Sequence, residues 1–115
     1  MHESSLKIET FKKNDIIIIK VIGSLDAITV PIFQDKIKLV FQKRKYKILF
    51  DLASMNYISS AGIGSLVSAA KECEKNHGQV RISGLQKDVM KVFQLLKFDL
   101  LFRIHSDVKD ALAGF

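Results

Sequence analysis

The sequence contains one cysteine, one proline and no tryptophan. A lone thiol, Cys73, makes no internal disulfide, so the chain relies on a packed core, and its setting is read as a reducing one. One proline and six glycines exclude collagen-like and low-complexity chains, and a hydrophobic content of 48% excludes intrinsic disorder. Long apolar runs are missing as well. The longest, residues 16–19 with their neighbours, falls far short of the roughly 20 residues that a membrane-spanning helix needs. Met1-His2-Glu3-Ser4-Ser5 lacks a basic segment followed by an apolar one, so neither a secretory signal nor membrane insertion is expected, and the expected location is cytoplasmic. A length of 115 residues suits one core rather than two, and residues 1–115 are read as a single domain.

Charge is unbalanced: 18 Lys and Arg face 12 Asp and Glu, a net +6. The densest cluster is Lys43-Arg44-Lys45 with Lys47, preceded by Lys36 and Lys38. It falls where a helix should end, and cations are favourable at a helix C-terminus. No aromatic or Gly-rich recognition motif accompanies it, so it reads as a solvated helix end, and no direct nucleic-acid partner is expected.

Residues 6–12 alternate apolar and polar side chains, and Asn14-Asp15 is a turn signal, so residues 6–12 and 16–22 are expected to form an antiparallel hairpin. The second strand is almost all β-branched, as a strand covered on both faces would be, and Gly23 is expected to end it. Thr29 and Pro31 mark a helix start, followed by an apolar face at Phe33, Ile37, Val40 and Phe41. Residues 46–52 read as an internal strand. From Ser60, the helical spacing returns at Ile63, Leu66, Val67, Ala70 and Cys73 until Asn76-His77-Gly78 stops it. A short strand at 79–83, a helix at 88–97, a last strand at 101–104 and a terminal helix capped by Asp107 complete the chain. The order β-β-α-β-α-β-α-β-α predicts an α/β fold. Its sheet is mixed but mostly parallel, with an N-terminal β-hairpin at one edge and about four helices packed against it.

In such units, ligands meet the loops at the carboxyl ends of parallel strands. Two segments there stand out, Gly23-Ser24-Leu25-Asp26 and Asn56-Tyr57-Ile58-Ser59-Ser60-Ala61-Gly62-Ile63-Gly64, and they are expected to share one edge of the sheet. Ser59 or Ser60 opens a helix, where unpaired backbone N–H groups and the positive dipole end await an acceptor. On periodicity alone, Ser60 is an N-cap and the glycines serve tight helix–sheet packing. The second reading is a phosphate held by the same N–H groups, with Gly62 and Gly64 letting a partner surface approach. No Walker loop or dinucleotide fingerprint is present. His2, His77 and His105 have no carboxylate or cysteine at metal-ligand spacing. Cys73 lies on an apolar helical face, and the serines stand in no nucleophile elbow. No active site, metal or cofactor is expected.

These segments resemble a known family. Val21-Ile22-Gly23-Ser24-Leu25-Asp26 with Thr29, Ile48-Leu49-Phe50-Asp51-Leu52, and Tyr57 to Gly64 are similar to the corresponding pieces of STAS domains, and most of all to stand-alone bacterial anti-sigma factor antagonists. The resemblance implies a partner switch. The unphosphorylated protein binds an anti-sigma factor that is itself a serine kinase, releasing a sigma factor for transcription. Phosphorylation of a serine at the start of the second helix breaks the complex, and a PP2C-type phosphatase restores it. The acceptor falls on Ser60, and the loop acidic residue of the kinase-facing surface falls on Asp26. The implied partner surface comprises Ser24, Asp26, Ser59, Ser60, Gly62 and Ile63. Where the family usually has Asp-Ser-Ser/Thr-Gly, this chain reads Ser59-Ser60-Ala61-Gly62, which keeps Ser59 as second candidate acceptor. The alternative within the fold is an interaction subunit of a membrane lipid or anion transporter complex.

Overall fold

The computed structural model describes residues 5–115; His2 lies outside the described residues. Strand β1 (Leu6–Lys13) pairs antiparallel with β2 (Ile16–Leu25) through the tight turn at Asn14-Asp15. Helix α1 (Val30–Gln42) leads to β3 (Lys47–Ile58), α2 (Ser60–Lys75) to β4 (Gln79–Ser83), and α3 (Lys87–Leu95) to β5 (Arg103–His105). A 3-10 turn at Phe98–Leu100 lies between α3 and β5, and α4 (Val108–Ala113) closes the chain. The five strands lie in sequence order, with only the β1–β2 pair antiparallel. The mixed sheet with its edge hairpin is the architecture expected.

The isoleucine run in β2 is apolar throughout because both faces of that strand are covered. Ile19 and Val21 point into the larger core with Phe50, Leu52 and Ile82, beneath Phe33 of α1, Leu66 of α2 and Phe93 of α3. Ile16 and Ile18 point the other way, where Leu49 and Ala111 of α4 meet them. Helix α4 is thus alone on its face, and its first turn is capped by Asp107, whose carboxylate accepts from the Asp110 N–H at 2.8 Å. A buried cation ties it down. Arg81 Nη2 donates to the Gly114 carbonyl, its Nη1 donates to His105 Nε2 at 2.9 Å, and its guanidinium lies 5.2 Å from the Phe115 ring centre. With Nε2 accepting, Nδ1 of His105 carries the proton and donates to Asp110 Oδ2 at 2.9 Å.

Four boundaries differ from expectation. Gly23 does not end β2, and Leu52 does not end β3. The pair continues in parallel to Ser24↔Tyr57 and Leu25↔Ile58 through two register shifts, after Lys20 and after Gly23. Each shift inserts an extra residue that bends the pair. Gly23 takes φ +106°, a left-handed conformation that a side chain would resist, and a Cβ there would fall 2.5 Å from the Ser5 carbonyl oxygen. At the other end, α3 stops at Leu95, because Lys97 adopts a left-handed conformation (φ 61°), and β5 begins two residues later than expected.

Candidate functional site

The extended β2–β3 pair brings the two singled-out segments together at one edge. The Ser59 N–H donates to the Leu25 carbonyl at 2.8 Å, joining the last residue of β2 to the residue that opens α2. Ser24 Oγ donates to Asn56 Oδ1 at 3.0 Å across the same pair. Ser24, Asp26, Asn56 and Tyr57 line a shallow groove beside it.

Ser59, rather than Ser60, is the cap. Its backbone is extended (φ −87°, ψ 169°), and its Oγ accepts from the Gly62 N–H at 3.1 Å while its carbonyl accepts from Ile63 N–H at 3.0 Å. Ser60 is the first helical residue and is exposed. The cap reading for Ser60 is therefore corrected: a side chain at the first helical position points away from the N–H groups that an N-cap oxygen reaches. Ser60 nonetheless stands in the first turn of α2, at the positive end of its dipole.

Asp26 has a structural task at the mouth of α1. Its Oδ1 accepts from the N–H groups of Ile28 (2.9 Å) and Thr29 (3.0 Å), and Asp26 N–H in turn donates to Thr29 Oγ1 at 2.9 Å. The Thr29 hydroxyl donates to the Ser24 carbonyl at 2.8 Å. This reciprocal turn resembles a capping box and sets the angle at which the chain leaves β2.

Gly62 and Ile63 are placed under the site rather than on its surface. Ile63 belongs to the core, and a Cβ on Gly62 would sit 2.8 Å from Ile58 Cγ1 and 3.1 Å from Leu25 Cδ2. Both residues seat α2 on the ends of β2 and β3. Gly64 behaves oppositely, since a Cβ there meets nothing within 4 Å. The pattern reading missed Ile28 and Ile32, which are 75% and 56% exposed, as Tyr57 is also exposed. The tertiary arrangement has α1 bury Val30 and Phe33 and leaves these two uncovered.

Elsewhere the chemistry is quiet. Cys73 is buried, and desolvation, aided by the Glu72 and Glu74 carboxylates, pushes its thiol from an ordinary 9.0 up to about 12. Among the described residues, no group of three or more His, Cys, Asp or Glu side chains is placed to hold a metal ion, and no helix is long and apolar enough to cross a membrane.

A five-stranded α/β module whose carboxyl edge presents an exposed serine on a helix N-terminus is the class that fold and site define. The STAS domain model matches residues 7–111, and the chain belongs to that family. An anti-sigma-B factor antagonist of Staphylococcus epidermidis is 29% identical over 91 residues, covering 79% of this chain and 84% of that protein. Among solved structures, an anti-sigma factor antagonist from Mycobacterium paratuberculosis superimposes with a TM-score of 0.87 at 19% identity, covering 96% of this chain and 93% of that one. The Bacillus cell fate determinant SpoIIAA in its phosphorylated form does so with a TM-score of 0.73 at 20% identity, covering 96% and 98%. At these identities the two structures establish the shared fold.

Proposed function

We propose that this chain is an anti-sigma factor antagonist. Unphosphorylated, it binds an anti-sigma factor serine kinase and so frees a sigma factor; phosphorylation of Ser60 ends the complex, and a PP2C-type phosphatase resets it. The names of the staphylococcal relatives support the class of function. The observation that carries the site is the division of labour in the serine pair: Ser59 spends its oxygen on the Gly62 N–H, while Ser60 is exposed at the first helical position.

A phosphate on Ser60 adds about −1.5 to −2 charges at neutral pH. The positive end of the α2 dipole stabilises it where it stands, so the fold has no need to rearrange. Its effect falls on the partner, whose surface must be matched to a neutral hydroxyl. Repulsion and desolvation of the phosphate at that contact supply the differential affinity, and a shift from mostly bound to mostly free requires only about 5 kcal/mol.

The test is a pull-down from native-host lysate with wild type, Ser60→Asp and Ser60→Ala, combined with phosphate labelling. Wild type and Ser60→Ala are expected to retain a serine-kinase anti-sigma factor and Ser60→Asp to lose it, with labelling absent in Ser60→Ala. Labelling that persists in Ser60→Ala and vanishes in Ser59→Ala moves the acceptor to Ser59. Equal retention of a transporter component by all three variants overturns the switch in favour of the transporter-subunit reading.

A further inference from the structure

We propose that the edge of the sheet opposite Ser60 docks on an anionic lipid surface. The topology creates this edge. Strands β2 to β5 are parallel, so the segments feeding their amino ends gather together, away from the serine pair: the hairpin tip, then the α1–β3, α2–β4 and α3–β5 connections in lateral order.

These segments carry two features that the switch does not use. The first is positive charge. Lys12 and Lys13 stand exposed at the hairpin tip, Lys43 and Arg44 after α1, Lys75 at the end of α2 and Lys97 after α3. Asp15 offsets little of it, because Lys47 Nζ already engages its carboxylate at 2.9 Å. Glu74 and Asp99 are the other acids of these segments. Helix dipoles account for cations at the ends of helices, but not for the second feature. Leu95, Leu96, Leu100 and Leu101 are 82%, 52%, 78% and 61% exposed. They fall within seven residues that the left-handed Lys97 and the 3-10 turn fold into a knuckle. Side chains this exposed stand clear of their own fold, so only an approaching surface can bury them.

The combination selects the occupant. A nucleic acid satisfies the cations and leaves the leucines in water. A second copy sets two basic edges face to face. An anionic bilayer answers both features, with headgroups for the cations and the interfacial region for the leucines. Docked in this way, the chain turns its Ser60 edge toward the solvent, whatever binds there.

Flotation with vesicles of phosphatidylcholine alone, and of phosphatidylcholine with about one third phosphatidylglycerol, tests the proposal. The chain is expected to float with the anionic vesicles only and to be released by high salt. Leu95→Ser with Leu100→Ser is expected to weaken the anionic binding about tenfold or more, as is Lys43→Glu with Lys97→Glu. All four positions are exposed, so unchanged thermal unfolding of both variants confirms intact folds. Failure of wild type to float at low salt overturns the proposal. So does anionic binding that is lost in the lysine variant and untouched in the leucine variant, which assigns the edge to polyanions in general. Flotation of neutral and anionic vesicles alike removes the electrostatic half of the argument and overturns it too.

Discussion

Ser59 and Ser60 are adjacent and chemically identical, yet the backbone gives them separate tasks. Removing the Ser59 hydroxyl leaves the Gly62 N–H without its acceptor, so Ser59→Ala is expected to lower stability by about 1 kcal/mol in urea unfolding. Ser60→Ala is expected to leave the unfolding midpoint unchanged. The nearby glycines divide in the same way. Gly62→Ala drives a methyl into Ile58 and Leu25, and overpacking of this kind costs about 1–3 kcal/mol. Gly64→Ala meets no atom and removes a helix-interior glycine, so it is expected to stabilise the chain by about 1 kcal/mol. If the partner proposed above seats on this turn, the same variant is expected to bind the anti-sigma factor more weakly in a titration. Equal binding by Gly64→Ala and wild type would show that the partner does not approach this turn closely.

At the scale of elements, the exit from β2 depends on one carboxylate. Asp26 accepts two N–H groups ahead of α1, and Asp26→Ala is expected to cost about 1 kcal/mol of stability from the lost cap. Its effect on binding of the proposed partner is expected to go beyond that figure, because the loop carrying Ile28 loses its turn. Asp26→Asn, which keeps an acceptor oxygen, is expected to recover most of the stability. Comparing the two variants by urea unfolding and by anti-sigma factor titration separates the cap from the charge.

For the whole molecule, the one buried thiol links stability to pH. Cys73 holds its proton to about pH 12 when folded, against an ordinary value of 9.0. Below pH 9 the group is protonated in both states and contributes no pH dependence. Between the two values the unfolded chain releases the proton while the folded chain retains it, so stability falls as pH rises. Cys73→Ala is expected to show a shallower loss of stability than wild type across that window. A wild-type slope no steeper than that of Cys73→Ala would overturn the assignment. In the native state at neutral pH the thiol is expected to resist alkylating reagents.

Element order was legible in the sequence because it is written in local periodicity. The two-sided isoleucine strand, the apolar faces of the helices, the Asn14-Asp15 turn and the Asp107 cap each depend on neighbours within a few residues. The serine pair was likewise marked as the start of a helix. What the tertiary structure decided is non-local. The extension of β3 to Ile58 rests on a ladder formed with β2, more than 30 residues away, and that ladder sets which serine caps and which is exposed. Whether a glycine or an isoleucine at the edge serves packing or display depends on what lies over it: Leu25 and Ile58 cover Gly62, while open space surrounds Gly64 and Ile28 stands exposed. The four exposed leucines follow the same rule. Apolar residues near the end of a helix look like core in a linear pattern, and only the path of the chain through Lys97 leaves them uncovered.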